Sequence, residues 1–329
     1  MKLIGLEEHF VTEDVLAAWK ALEPRWQDIA LMQSDRGDTG QRLADLGDAR
    51  LKAMDETGLD VQVLSLTAPG VQSLEATDAA ALQIASNDFL AETVRSNPER
   101  YQGFATLATP DPKSAARELE RAVTKLGLNG AMLFGRTRER NLDHPDNEPI
   151  FEAAAALRAP LYIHPQSPLP AVREAIYSGF GDTVDNAFAT HGLGWHYETG
   201  LQILRMVLAG VFDRHPDLQV VTGHWGEVVL FYLDRIDEMQ RTAKLKRPVS
   251  EYFRSNVLVT ASGVWSQRYL RWAIEVLGVE RIMFSTDYPY RFTRENGARR
   301  FLEEADLSVA DKTAIANGNW QRMVDGIRR

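Results

Sequence analysis

The chain has 329 residues, no cysteine, 46 acidic against 37 basic side chains, a formal net charge of −9 and a pI near 5.4. These values exclude disulfides, thiolate metal sites and a cysteine nucleophile, and they argue against nucleic-acid or anionic-membrane partners, which need dense basic surface. No stretch approaches about 18 uninterrupted apolar residues and no cationic-then-apolar leader opens the sequence, so a cytoplasmic protein of one domain, residues 1–329, is expected.

In chain order, short aliphatic runs at roughly 2–7, 61–66, 103–107, 129–133, 160–164, 218–223, 256–260 and 281–286 read as eight buried strands. Segments of helix length separate them. The pattern is plainest from Asp111 to Leu126: Thr109-Pro110-Asp111-Pro112 offers a cap and an N1 proline, and Gly127 stands where a helix ends. Ala116, Leu119, Val123 and Leu126 recur there at helical spacing. Strict β/α alternation implies parallel strands joined by crossover helices, and eight repeats predict an α/β fold of the (β/α)8 barrel type, distorted by insertions. No GxGxxG or GxxxxGK loop suggests a nucleotide-binding sheet. Two long stretches, Trp19 to Asp48 (polar around Gln33-Ser34-Asp35-Arg36-Gly37-Asp38) and Pro165 to Tyr197, are expected to be loops over a site, with a helix beginning near Glu198.

Potential metal ligands stand at the downstream ends of strands one, five and eight: Glu7 and His9, His164, and Asp287. Barrel enzymes keep their chemistry on that face, so these residues are expected to meet at one ion. Glu7 and His9 are two apart on a strand and project to the same side, with Glu8 on the other. Each residue alone has a plainer reading: a polar strand end, a core histidine, a helix cap. Their joint placement is what points to a metal. Two imidazoles with two carboxylates suit Zn²⁺ and Mn²⁺ alike. His224 follows strand six, and Glu227 three residues later can orient its imidazole for proton transfer or simply form a capping box. His215 and His144 read as structural or surface residues. His191 and His196 fall in the second loop, either on the surface or lining the pocket.

Leu6-Glu7-Glu8-His9-Phe10, Leu64 to Gln72, Tyr162-Ile163-His164-Pro165, Gly223-His224-Trp225-Gly226-Glu227 and Phe284-Ser285-Thr286-Asp287-Tyr288-Pro289, in this order across nearly the whole chain, resemble the decarboxylase branch of the amidohydrolase superfamily. That branch holds the γ-resorcylate, 2,3-dihydroxybenzoate and 5-carboxyvanillate decarboxylases. The resemblance implies one divalent metal on Glu7, His9, His164 and Asp287, and a catalytic pocket shaped by His224, Glu227 and Arg235. It further implies a homodimer or homotetramer acting on a small aromatic acid. Hydrolytic relatives carry HxH on strand one and a lysine on strand four. Here strand one has Glu7-x-His9 and strand four ends Met132-Leu133-Phe134-Gly135, which puts a two-metal hydrolase in doubt. The expected reaction is non-oxidative decarboxylation of a hydroxylated aromatic acid, with Asp287 or His224 as proton donor. Arg235 and Arg36 are expected on substrate oxygens, and Tyr290 and Trp195 as aromatic walls. The competing expectation is metal-dependent hydrolysis or hydration of a lactone or ring-cleavage product.

Overall fold

The computed structural model describes residues 1–329 apart from the side chains of Met32 and Gln33, so the Gln33 side chain of the first loop lies outside the described residues. The barrel strands are β1 (Ile4–Phe10), β2 (Val61–Leu66), β3 (Tyr101–Gly103 continued by Ala105–Thr106), β4 (Ala131–Phe134), β5 (Leu161–His164), β6 (Val220–Thr222), β7 (Val257–Thr260) and β8 (Ile282–Met283). Successive strands pair in parallel, as chains returned by long crossovers must. At Phe104 β3 changes partner, its first half lying on β2 and its second on β4. The ring closes where the two ends of the chain meet: Leu6 N–H donates to the Phe284 carbonyl at 3.0 Å and His9 N–H to that of Tyr288 at 2.7 Å. The architecture is thus the distorted (β/α)8 barrel that the alternation predicts.

Inward-facing side chains fill the barrel in layers: Ile4, Leu6, Val61, Val63, Phe104, Met132, Tyr162, Val221, Leu258 and Met283, joined by Trp320 from the C-terminal helix. Burial of each such apolar side chain stabilises the fold by about 1.5–3 kcal/mol. The layer ends at β1 with a bulge. Gly5 stands opposite Gln62 and Glu8 opposite Leu64, so β1 spends one residue more than β2 over this span. The extra residue changes the parity of the strand: below it Ile4 and Leu6 face inward, above it Glu7 and His9 do. Glu8 is turned outward into the wall, where its carboxyl accepts from Gln62 Nε2 at 3.2 Å, from Thr286 N–H at 2.8 Å and from the Thr286 hydroxyl at 2.6 Å. It therefore ties β1 and β2 to the segment after β8.

The helix expected at 111–126 is Pro112–Thr124, with the Asp111 side chain capping Ser114 N–H at 3.1 Å. Its buried stripe is Ala115, Leu119, Ala122 and Val123, with Ala116 and Leu126 at the margin, a rotation of about one residue from the expected face. Neither long stretch is a bare loop. The first contains helices Leu31–Ser34 and Gly37–Ala44; the second contains Pro170–Ile176 and Asp182–Ala187, a wide turn over Phe188–Gly192, and the start of a helix at Gly194–Leu208. That helix begins at Gly194, ahead of the expected Glu198, because the chain breaks at Thr190 and restarts.

Candidate active site

Glu7 and His9 reach the barrel mouth from β1, His164 from the end of β5, and Asp287 from the turn beyond β8, where its φ of 61° lifts it off the strand path. One ligand atom from each lies within 4.8 Å of all the others, and all four residues are buried. His164 Nε2 faces Glu7 Oε1 at 3.1 Å, and His9 Nε2 faces Asp287 Oδ1 at 3.5 Å. Among the described residues, neither Glu7 Oε1 nor His9 Nε2 has a hydrogen-bond partner of acceptable geometry. A buried carboxylate oxygen and a buried imidazole nitrogen left bare would be costly, and a cation between them removes that cost.

The surrounding groups set these side chains in their ligating forms. His164 Nδ1 lies 2.8 Å from the Pro165 carbonyl and donates to it, which leaves the Nε2 lone pair for the centre. Burial holds His9 below the usual imidazole pKa, in the neutral form a metal takes. Glu7 Oε2 accepts from the Tyr162 and Ser262 hydroxyls. Burial and the neighbouring Glu7 keep the Tyr162 phenol well above its usual range, so it remains a donor. Burial works against ionised Glu7 and Asp287, but the neighbouring His224 outweighs it and holds both carboxyls low. The donor set fits one divalent ion.

Beside it a cavity of about 510 Å³ is lined by His164, His191, Trp195, His196, His224, Ser262, Asp287 and Tyr290, with Arg36 and Arg291 among its charged members. That volume suits a single substituted ring with its hydration. Tyr290 is fixed by hydrogen bonds to Thr67 at 2.7 Å and Ser34 at 3.0 Å, and burial pushes its hydroxyl up to about 12.

His224 Nε2 lies 3.9 Å from Asp287 Oδ2, and its Nδ1 lies 2.8 Å from Glu227 Oε1. The other oxygen of Glu227 meets His196 Nδ1 at 2.7 Å. Burial opposes a charged His224, yet Glu227, Glu7 and Asp287 together raise its pKa well above the usual imidazole value. The capping-box alternative for Glu227 does not hold. Residues 224–228 have φ values of 46°, 60°, 85°, 52° and 71°, one left-handed turn, and the regular helix Val229–Asp237 starts only after it. Asp287 also caps no helix in the way its plainer reading required; its left-handed backbone belongs to the turn.

Of the side chains expected on the substrate, Arg36, Tyr290 and Trp195 line the cavity and Arg235 does not. Arg235 is exposed on helix Val229–Asp237 and pairs with Glu238 at 2.7 Å. Eleven residues along the chain from His224, it is carried away from the mouth of its own barrel by the left-handed turn. His215 and His144 have structural partners, Glu148 at 2.8 Å and the Asp146 N–H at 3.3 Å. Of the two alternatives open for His191 and His196, the pocket holds for both, and the structure adds Tyr162, Ser262 and Arg291 to the site. Tyr162 was readable, being two residues before His164 on the same strand face. Arg291 sits beyond an irregular turn, where no periodicity reports direction.

A barrel with a buried two-imidazole, two-carboxylate centre at its mouth defines a metal-dependent barrel enzyme. The chain belongs to the amidohydrolase family, whose sequence profile matches residues 9–325. It is 36% identical over 333 residues to a γ-resorcylate decarboxylase of Polaromonas sp. strain JS666, covering 97% of each chain. Among solved structures, the 5-carboxyvanillate decarboxylase of Sphingomonas paucimobilis aligns at a TM-score of 0.90 with 36% identity, over 98% of this chain and 99% of that one. The dihydroxybenzoic acid decarboxylase of Polaromonas sp. JS666, with manganese and the inhibitor 2-nitroresorcinol bound, aligns at 0.85 with 36% identity, over 98% and 97%.

Proposed function

We infer that this chain is a metal-dependent, non-oxidative decarboxylase of hydroxylated aromatic acids that yields the phenol and carbon dioxide. The observation that carries the reading is the four-residue ligand cluster opening onto a ring-sized cavity, with a carboxylate-held histidine 3.9 Å from Asp287. The decarboxylases to which the chain is similar support it, and the manganese in one of them favours Mn²⁺ over Zn²⁺ as the ion held by Glu7, His9, His164 and Asp287. When bound, such an ion would supply Lewis-acid stabilisation of negative charge on the substrate oxygens.

The chain's own groups then handle one proton. Glu227 fixes the His224 ring, and His224 passes a proton to Asp287, which delivers it to the ring carbon that bears the carboxylate. The new C–H bond takes a π pair from the ring; the bond to the carboxylate then breaks, its pair restores aromaticity, and carbon dioxide leaves. Arg36 and Arg291 offer positive charge to substrate oxygens at the mouth, and Trp195 and Tyr290 flank the ring. The lactone-hydrolase alternative is not favoured, because the relatives named above are decarboxylases and β4 brings no lysine.

We further propose a homodimer or homotetramer, supported by exposed Phe231, Tyr232 and Tyr269 with Trp272 packed edge-on to Phe231. A cytoplasmic location is supported by the absence of cysteine; among the described residues no helix is long and apolar enough to cross a membrane. The functional reading is tested by following carbon dioxide release from a panel of dihydroxybenzoates and carboxyvanillates with the manganese-loaded protein. Release from at least one ortho-hydroxy acid is expected. Silence across the panel, with turnover of a lactone, overturns it.

A further inference from the structure

Glu227 has two oxygens and no exposure, and the mechanism above uses only the oxygen that meets His224. The other is occupied by His196, which the chain delivers from the first turn of helix Gly194–Leu208, just past the break at Thr190. We infer that His196 is a positioning residue for the decarboxylation: its Nδ1–H anchors Glu227, and through Glu227 it fixes the His224 ring, while its Nε2 anchors the cavity wall at Trp195.

The tautomer follows from Trp195. An indole N–H only donates, and Trp195 Nε1 lies 3.1 Å from His196 Nε2, so that nitrogen must be bare. The ring proton is then on Nδ1, 2.7 Å from Glu227 Oε2. Nε2 cannot simultaneously donate to the His191 carbonyl at 3.3 Å, the longer of the two contacts. Glu227 Oε1 in turn accepts from His224 Nδ1–H, which leaves Nε2 as the His224 atom turned to Asp287 and the cavity. The same assignment bears on a second metal. His196, His224 and Glu227 are close enough to hold one, but an imidazole that accepts at Nε2 carries its proton on Nδ1 and has no lone pair there to give.

Removing His196 therefore has two consequences. Glu227 Oε2 becomes a buried carboxylate oxygen with no donor, and the carboxylate is free to turn away from His224. Trp195 loses the one side-chain acceptor it has among the described residues, and with it the fixed plane of the wall. The first affects turnover and the second affects binding, so the two can be separated by substitution.

This inference rests on the decarboxylase reading only for its kinetic readout. The first measurement is the long-range ¹H–¹⁵N spectrum of the wild-type histidine rings, where His196 is expected as the Nδ1–H tautomer. The second compares His196→Phe, which keeps ring volume and makes neither bond, with His196→Asn, whose amide replaces Nδ1–H toward Glu227 but offers nothing to Trp195. His196→Phe should keep one metal per chain and lose on the order of 10- to 100-fold in kcat, the scale for partners that orient a working imidazole. His196→Asn should recover most of that kcat while KM stays raised. The spectrum is read whether or not any aromatic acid turns over. A failed assay with the Nδ1–H signal present therefore sinks the functional reading alone. A proton on His196 Nε2, two metals per chain, or a His196→Phe kcat within twofold of wild type overturns the role proposed for His196.

Discussion

At the scale of single residues, the ligand set is the part most legible in the sequence, because strand periodicity and barrel geometry together fix where a residue at a strand end can point. Glu7, His9, His164 and Asp287 needed only that rule. His196 did not follow from it, since it sits in the first turn of a helix that starts just past a break in the chain, with no strand to fix its direction. The same geometry separates holding the ion from moving the proton. His164 turns Nε2 to the cluster with its tautomer already set by the Pro165 carbonyl, and it is the cluster's one ligand from β5. His164→Ala should therefore purify without metal by elemental analysis, where the wild type carries one ion per chain; an unchanged metal content would place the ion elsewhere. His224 stands outside the four, its Nδ1 committed to Glu227. His224→Asn should retain the metal and lose on the order of 100-fold or more in turnover, the usual scale of acid–base assistance. Loss of the ion with His224 would instead make it a ligand.

At the scale of elements, strands and helices were legible where their patterns are regular, and the site lies where they are not. The bulge in β1 is invisible to a period-two count, since Leu6 and Glu7 both face inward on either side of it. The left-handed turn at 224–228 is equally hidden. It holds non-glycine residues, including β-branched Val228, where each costs about 1–2 kcal/mol. Such a turn persists only because its contacts over-determine it: Trp225 Nε1 donates to the Val264 carbonyl at 2.8 Å, and Glu227 is gripped from two sides. Gly5 offers a direct test of the bulge. A Cβ there would come within 2.2 Å of Glu8 Oε1, and Glu8 cannot swing aside without surrendering the Gln62 and Thr286 bonds that tie β1 to β2 and to the segment after β8. Gly5→Ala should lower stability by about 1–3 kcal/mol in urea unfolding, the usual range for overpacking, and weaken metal affinity by displacing Glu7. Wild-type stability in the variant would show that the seam has room the packing denies.

At the scale of the whole molecule, seven crossovers bring three distant parts of one chain to a single mouth, and the chemistry depends on what else they leave there. This mouth presents an imidazole fixed by a carboxylate and set beside Asp287, an arrangement that can hand a proton on. The barrel itself was readable from alternation alone, because parallel strands joined by crossovers have few other solutions. The reaction was not, since the same barrel supports many chemistries and only the site discriminates. If protonation at the carboxyl-bearing carbon is the step, turnover in D₂O must leave one deuterium on the phenol at that carbon and nowhere else, as read by mass spectrometry and ¹H NMR. Microscopic reversibility adds a second requirement. The groups that deliver the proton must also remove it, so concentrated bicarbonate should drive slow carboxylation of the phenol at the same ring position. His224→Asn should slow both directions alike, because it leaves the overall equilibrium untouched. Deuterium scattered over the ring, or a carboxylation that survives the loss of His224 at full rate, would mean that the proton moves by another route.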